Sequence, residues 1–117
     1  MILVVDDTPA NIDILMELLS EIDDVAVALD GEEALEVVED EQPDLILLDI
    51  VMPGMNGFEV CQKLKETDST KDIPVIFLSG NGSDEEIQKG KDLGAVDFLT
   101  KPIDPDLVVR KVREFIK

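Results

Sequence analysis

The sequence predicts an α/β fold: a doubly wound, five-stranded parallel sheet with helices on both faces. Five short apolar segments recur along the 117 residues, and the first four are nearly continuous, which is typical of parallel strands covered on both faces. Segments with helical spacing follow each of them, so strand and helix alternate along the chain. Since strand–helix–strand crossovers are right-handed, this order places helices on both faces of one sheet.

The predicted strands are short and apolar, and they cover residues 2–5, 25–29, 45–48, 75–78 and 96–99. Apolar residues three or four positions apart mark four of the helices: Ile12, Leu15, Leu19 and Ile22; Leu35 and Val38; Phe58, Cys61 and Leu64; and Val108, Val112, Phe115 and Ile116. The other helix, about 84–93, offers only Ile87 and Leu93 as sizeable apolar residues and contains Gly90. We expect it to be held weakly and free to shift, although an ordinary solvated edge helix has the same pattern.

Capping residues indicate where the helices begin and end. Thr8 and Asp104 each precede a proline, an arrangement that favours a helix start. Capping-box spacing occurs at Asp30…Glu33, Asn56…Glu59 and Ser83…Glu86, and the last of these is the closest match. Gly94 is predicted to end the fourth helix in the left-handed conformation, and Lys117 to end the last helix.

The net charge is the unusual property of the composition. Ten basic residues against 28 acidic residues give −18 at pH 7. A chain of this charge repels nucleic-acid phosphate, so we expect no direct DNA or RNA binding by this domain. The favoured interpretation of this charge is a solubilising surface, of which salt adaptation is one form, and a local group of carboxylates that holds a divalent cation is the functional alternative.

The length of the chain and its cysteine and histidine content limit the kinds of protein and site that the sequence can form. The chain is expected to form a single domain over residues 1–117. Its apolar runs are too short to cross a bilayer and it opens without a signal-peptide pattern, so we expect no membrane association. Cys61 is the one cysteine and histidine is absent, which excludes an internal disulfide, Cys/His zinc sites and histidine-dependent nucleophiles. The reducing cytoplasm is the expected compartment.

Reactive side chains follow four of the predicted strands. Asp6 and Asp7 follow the first strand, Asp49 the third, Ser79 the fourth and Lys101 the fifth. Because ligands bind at the carboxyl ends of strands in open α/β sheets, we expect these groups to converge. Two carboxylates roughly 4 Å apart repel by about 4 kcal/mol at an effective dielectric constant of about 20, and Mg²⁺ with a bound phosphate relieves such repulsion. Each residue alone is more often a turn, cap or solvated residue, so the constellation is what indicates a site.

Four stretches carry a family resemblance that covers the whole chain. They are residues 2–7 (ILVVDD), 44–57 (DLILLDIVMPGMNG), 75–80 (VIFLSG) and 94–102 (GAVDFLTKP). In this order, and each at a strand end, they resemble the receiver domain of two-component response regulators, of the chemotaxis-regulator type. The resemblance implies a flavodoxin-like sheet of strand order 2-1-3-4-5 and the function of a phosphorylation-activated signalling switch.

The resemblance also implies a role for each acidic residue. Asp49 is the expected phosphoacceptor, which takes its phosphoryl group from a phosphohistidine of a sensor histidine kinase or a phosphotransfer protein. Asp6 and Asp7 are the expected acidic pair that holds Mg²⁺, with Asp49 and the backbone carbonyl of Val51 completing the protein ligands. A domain of this kind is not an enzyme toward other molecules, because it catalyses only its own aspartyl phosphorylation and dephosphorylation.

Three further positions match the switch residues of the family. Ser79 is the expected switch hydroxyl that hydrogen-bonds the phosphoryl group, Lys101 the lysine that pairs with it, and Phe98 an aromatic residue that changes rotamer on activation. The peptide bond between Lys101 and Pro102 is expected to be cis. The chemistry agrees, since phosphoryl transfer needs positioning and charge neutralisation rather than a histidine base.

Two of these positions depart mildly from the family pattern. Ser79 replaces a frequent threonine, and Phe98 lacks the hydroxyl group of a frequent tyrosine. Val51 and Asn81 flank the place where an attacking water would enter. Their sizes are expected to tune the lifetime of the phosphorylated state.

Phosphorylation is expected to act on a distant face. It would draw Ser79 toward Asp49, let Phe98 turn inward, and remodel the surface formed by the fourth helix, the fifth strand and the fifth helix. Four cations lie on these elements of an otherwise acidic chain: Lys89, Lys91, Arg110 and Lys111. This face is the expected contact for a homodimer or an output domain, and a plain solvated face is the alternative.

Three other classes of protein agree less well with the sequence. A flavin-binding domain of the same sheet order needs a hydroxyl-rich phosphate loop and aromatic residues to stack the ring, but the chain has Asp6 and Asp7 in that loop and no tryptophan or tyrosine. An aspartyl phosphatase usually has spaced aspartates and a cap domain, for which 117 residues leave no room. A receiver-like domain that is never phosphorylated is disfavoured by the complete acidic site.

Overall fold

Within residues 1–80 and 82–116, which the computed structural model describes, five strands alternate with five helices. The strands are β1 (Ile2–Val5), β2 (Val25–Ala28), β3 (Leu45–Asp49), β4 (Val75–Ser79) and β5 (Asp97–Thr100). The helices are α1 (Pro9–Leu19), α2 (Gly31–Asp40), α3 (Gly57–Glu66), α4 (Asp84–Asp92) and α5 (Pro105–Phe115). The predictions for Asn81 and Lys117 fall outside the described residues.

The strands pair in parallel to form a sheet of order β2-β1-β3-β4-β5, which confirms the predicted fold class and strand order. The register aligns the carboxyl ends of the strands. Val5 lies beside Ala28 on one side and Leu48 on the other, and Ser79 lies beside Thr100. The residues that follow β1, β3, β4 and β5 therefore emerge along one edge of the sheet, where ligands of such sheets bind.

Each face of the sheet carries its own apolar cluster. On one face Leu3 and Val5 pack with buried residues of α2 and α3, among them Val38. On the other face Ile2 and Val4 pack with buried residues of α1 and α5. Full burial of a Val, Leu or Ile side chain contributes roughly 1.5–3 kcal/mol, so these two layers fix the position of the carboxyl edge.

The helix α4 adds little to either cluster. Among its residues, all of which the structure describes, Gly90 is the buried one, and Ile87 is half-buried. This fits the thin apolar stripe in the sequence. None of the helices in the described part of the chain is long and apolar enough to span a membrane.

Some predicted element ends are wrong by one to three residues. The strand β2 ends at Ala28 and leaves Leu29 51% exposed, because this edge strand stops at the open rim of the sheet. Val96 is 45% exposed and precedes β5, whose last residue is Thr100. Helix α1 ends at Leu19, and Ile22 lies in the following loop, where it packs against the apolar cluster on that face.

The helix caps agree with the sequence in part. Asp30 and Asp104 cap α2 and α5 as predicted. Helix α1 begins after Thr8 as predicted, with Thr8 as its N-cap residue and Pro9 in its first turn. The Thr8 side chain makes no capping bond, however, and its backbone N–H donates to Asp6 Oδ1. The complete reciprocal box forms at Asn56, not at the pair that matched the pattern best.

Two predicted backbone features are present. Gly94 adopts the left-handed conformation, with φ of 102°, directly after α4 and its C-cap residue. The Lys101–Pro102 peptide bond is cis.

Candidate functional site

Three carboxylates meet at the carboxyl edge of the sheet. Asp6 and Asp7 directly follow β1, and Asp49 is the last residue of β3. One ligand oxygen from each lies within 4.8 Å of the others. Asp6 and Asp49 are buried whereas Asp7 is exposed, so the group opens to solvent on one side.

Lys101 brings a positive charge to the two buried carboxylates. Its Nζ donates a hydrogen bond to Asp49 Oδ2 at 2.9 Å and lies 3.7 Å from Asp6 Oδ2. The other Asp49 oxygen accepts the backbone N–H of Val51 at 3.3 Å. Lys101 follows β5, the far strand beyond β4, so its long side chain reaches across the edge to Asp49.

Burial dominates the ionisation of Asp49. Desolvation raises the pKa of its carboxyl group to about 6, with the Lys101 ammonium opposing the shift and the neighbouring Asp6 charge reinforcing it. Its side chain is only 4% exposed. A cation beside Asp49 would favour the ionised form that a nucleophile requires.

Asp6 has one oxygen whose bonding capacity is unused. Its Oδ1 accepts the backbone N–H of Thr8 at 2.9 Å, and its Oδ2 is buried without a hydrogen-bond partner among the described residues. A buried carboxylate oxygen that accepts no hydrogen bond is costly, and the Lys101 ammonium 3.7 Å away offsets only part of that cost. Together with Asp7 and Asp49, Asp6 forms a set of hard oxygen donors, so these residues fit a Mg²⁺ ion.

Ser79 lies at the same edge but is engaged elsewhere. Its fully buried hydroxyl donates to Glu86 Oε1 at 2.6 Å and accepts the backbone N–H of Gly82 at 2.8 Å. Both partners belong to the β4–α4 loop and α4. The structure therefore places Ser79 next to the carboxylates along the sheet edge while its hydroxyl bonds away from them.

Phe98 is half-buried beneath α4 rather than projecting outward. Its ring centroid lies 5.6 Å from that of Phe77, which is fully buried. A Cβ atom added to Gly90 would come within 2.3 Å of the Phe98 ring and 2.9 Å of the Phe77 ring. The absent side chain of Gly90 is therefore what lets α4 lie against these rings.

The loop after β3 depends on a close backbone approach. A Cβ atom on Gly57 would lie 2.2 Å from the backbone oxygen of Asp49, and the Gly57 N–H donates to Ile50 O at 2.8 Å. Only glycine fits there. Gly54 also takes a left-handed conformation, with φ of 73°, in the same loop.

The sequence pattern does not reveal the roles of three residues that shape this site. The spacing predicts only a capping role for Glu86, although its carboxylate bonds the Ser79 hydroxyl. Gly90 weakens the helical pattern of α4 and Gly57 belongs to a family motif, although each permits a close contact. A glycine inside a helical pattern was the available signal for Gly90; no local signal pointed Glu86 to Ser79.

A parallel sheet of this order with three carboxylates, a lysine and a serine at its carboxyl edge defines the CheY-like class of receiver fold. The family described as "Response regulator receiver domain" matches residues 2–113. The chain belongs to this family, which confirms the resemblance drawn from the sequence.

Individual relatives agree with that assignment. The chain is 46% identical over 118 residues to the response regulator PleD of Caulobacter vibrioides, covering 99% of this chain and 26% of PleD. It is 41% identical over 116 residues to a probable cyclic di-GMP phosphodiesterase of Vibrio cholerae, again covering 99% and 26%. The solved structure of the chemotaxis protein CheY4 of Vibrio cholerae matches with a TM-score of 0.92 at 30% identity, over 97% of this chain and 96% of that one. The chain thus spans about a quarter of the length of these two curated relatives.

Proposed function

We propose that Asp49 accepts a phosphoryl group from a phosphohistidine and that the phosphorylated form is the active state of a signalling switch. The observation that carries the proposal is the buried Asp49 carboxylate, hydrogen-bonded by Lys101 at 2.9 Å beside two further aspartates. Membership of the receiver family supports the signalling role.

The residues of the chain would divide the work as follows. An Asp49 oxygen forms the new bond to phosphorus, while the phosphorus–nitrogen bond of the donor breaks and its electron pair returns to the imidazole. Lys101 would neutralise charge that spreads over the phosphoryl oxygens, and the Ser79 hydroxyl would donate a hydrogen bond to one of them. With acetyl phosphate as donor, acetate leaves instead.

Magnesium would be held by Asp6, Asp7 and Asp49, with the backbone carbonyl of Val51 as a further ligand. When bound, the ion supplies charge neutralisation for the phosphoryl group. Two observations support this donor set: Asp6 Oδ2 is buried without a hydrogen-bond partner among the described residues, and the Asp7 carboxylate is exposed to solvent.

The partners would be a sensor histidine kinase or phosphotransfer protein upstream, and a second copy or an output domain downstream. For the downstream contact we propose the face formed by α4, β5 and α5. Lys91 and Arg110 are exposed on this face. Lys111 is less available, because its Nζ donates hydrogen bonds to Asp97 at 2.7 Å and to the backbone oxygen of Phe98. Lys89 lies 4.7 Å from the Phe58 ring centroid and so faces α3. The cytoplasm is the proposed location, and the domain's catalysis would be limited to its own Asp49.

The test is incubation with acetyl phosphate and Mg²⁺, followed by intact mass measurement. Wild-type protein should gain one phosphoryl group, and the gain should disappear in Asp49→Asn and on chelation of Mg²⁺. Asp40→Asn, which alters an exposed carboxylate at the end of α2, is the matched control and should behave as wild type. An undiminished gain in Asp49→Asn would exclude Asp49 as the acceptor.

A further inference from the structure

Glu86 and Ser79 share a hydrogen bond that joins α4 to the end of β4. The Ser79 hydroxyl donates to Glu86 Oε1 at 2.6 Å, within the range of strong bonds to a charged acceptor. The Gly82 N–H closes the arrangement by donating to the same hydroxyl oxygen. Ser79 is fully buried and Glu86 is half-buried, so water competes poorly for this bond.

A serine hydroxyl has one proton to donate. While that proton is on Glu86, it is not available to a phosphoryl oxygen on Asp49. The two acceptors therefore exclude one another, and a dianionic phosphoryl group at this edge would also repel the Glu86 carboxylate. When the Ser79 hydroxyl donates to the phosphoryl group it can no longer donate to Glu86, so losing one hydrogen bond and making the other are a single exchange.

We propose that Glu86 is a positioning residue that acts as a latch, because its hydrogen bond holds Ser79 in the unphosphorylated arrangement. The strength of that bond sets the free-energy cost that phosphoryl binding must overcome. This rests on the proposed function of Asp49. Because Glu86 lies in the first turn of α4, the exchange detaches the start of that helix from β4. The rest of α4 has few anchors, chiefly Gly90 against Phe98, so the helix is the element that responds.

The proposal is tested with beryllofluoride and Mg²⁺, which form a stable mimic of the phosphoryl group on a carboxylate. Apparent affinity is measured by NMR titration at pH 7.5 for wild type, Glu86→Ala and Glu86→Gln. Glu86→Ala should bind at least about fivefold more tightly, because one hydrogen bond to a charged acceptor no longer competes. Glu86→Gln keeps an oxygen acceptor of the same shape and should lie between the two.

Glu85→Ala is the matched control. Glu85 is the exposed neighbour in the same first turn, so its loss removes the same charge at the same helix end without touching Ser79. Its affinity should stay within about twofold of wild type, as expected for a screened surface charge. Equal gains for Glu85→Ala and Glu86→Ala would show a general charge effect and overturn the latch.

A double-mutant cycle isolates the bond itself. In a Ser79→Ala background, Glu86→Ala should increase the affinity by no more than Glu85→Ala does, since only charge repulsion is relieved and there is no hydroxyl to release. A gain as large as that in the Ser79 background would also overturn the latch while leaving the proposed function intact. Failure of wild type to bind beryllofluoride at all would instead overturn the proposed function, and the latch with it.

A measurement without Mg²⁺ or beryllofluoride gives an independent check. Three-bond couplings of Ser79 report its χ1 populations in the free protein. Wild type and Glu85→Ala should show a single rotamer, and Glu86→Ala a mixture. A single unchanged rotamer in Glu86→Ala would mean that Glu86 does not hold Ser79, and the latch would be rejected on that ground alone.

Discussion

At the scale of single residues, the site contains buried carboxylates whose charge the single nearby lysine does not fully compensate. Asp49 is buried beside one ammonium, and its pKa of about 6 shows that desolvation outweighs the attraction to Lys101. A carboxyl group whose pKa is raised on folding stabilises the fold below its unfolded pKa of 3.8, and this contribution is lost as pH rises through about 6. Neutral pH therefore leaves Asp49 charged at a cost to stability, and the same charge is what a nucleophile needs.

Asp49→Asn removes that charge and should stabilise the fold at neutral pH. In EDTA, the free energy of unfolding at pH 7.5 should increase by about 1–3 kcal/mol, since each pKa unit corresponds to about 1.4 kcal/mol. The increase should be much smaller near pH 4, where wild-type Asp49 is protonated in the folded state and only about half ionised in the unfolded state. Urea denaturation at the two pH values measures it.

The exposed Asp40 again provides the control. Asp40→Asn should leave the difference in unfolding free energy between the two pH values close to that of wild type. A stabilisation by Asp49→Asn of the same size at pH 4 and pH 7.5 would contradict the assigned cause. A destabilisation at pH 7.5 would show that the bond to Lys101 matters more than burial.

At the scale of elements, α4 differs from the other helices because a few specific contacts, rather than a broad buried apolar face, hold it against the sheet. Gly90 allows the helix to lie against the rings of Phe98 and Phe77, and Ser79 and Glu86 tie its first turn to β4. Helices α1, α3 and α5, by contrast, each bury at least two large apolar residues. An element held by a few specific contacts can change position when one of them is exchanged.

Gly90→Ala should destabilise the fold although alanine is the better helix former. The added Cβ would lie 2.3 Å from Phe98 Cζ and 2.9 Å from Phe77 Cδ2, so a ring or the helix must move. Overpacking of this kind costs about 1–3 kcal/mol, against a propensity gain of up to about 1 kcal/mol. The net loss should appear as a lower urea midpoint with displaced Phe98 ring resonances.

The Phe98→Ala background distinguishes a clash with this ring from a general effect on the helix. With the nearer ring removed, Gly90→Ala should cost clearly less than in the wild-type background. An equal cost in both backgrounds would place the clash elsewhere.

The strands and the position of the site could be predicted from the sequence, whereas several side-chain partners could not. The strands were predictable because near-continuous apolar runs of this length have few alternatives. The position of the site was predictable because Asp6 and Lys101 directly follow strands and Asp49 ends one. Side-chain partners were not predictable where one residue had two suitable choices. Glu86 fits a capping box by spacing, yet its carboxylate bonds Ser79, which is brought near only by the fold. Thr8 likewise fits a cap, but its N–H bonds Asp6.

At the scale of the whole molecule, the charge is divided unequally. Residues 1–62 contain 17 of the 28 acidic residues and no lysine or arginine, so all ten basic residues follow Gln62. The strand order places β2 at one edge of the sheet, and α1 and α2 flank that side of the molecule. One side of the protein is thus strongly acidic, and the side formed by β4, β5, α4 and α5 is of mixed sign. Uncompensated like charges weaken a fold and are screened by salt.

A pair of charge reversals should expose this asymmetry. Glu39 and Glu114 are both exposed and both occupy the next-to-last position of their helices, α2 and α5, so the helix dipole affects them alike. Glu39→Lys places a cation among acidic neighbours and should raise the free energy of unfolding by about 0.5–1 kcal/mol at low salt. Glu114→Lys adds a cation beside Arg113 and near Lys111 and should give less than half of that gain.

Because the Debye length shrinks from about 30 Å at 0.01 M salt to about 3 Å at 1 M, the difference between the two variants should vanish in urea denaturation at high salt. Equal stabilisation by both reversals at low salt would mean that the acidic side carries no excess repulsion, and that the total charge alone limits the stability of this domain.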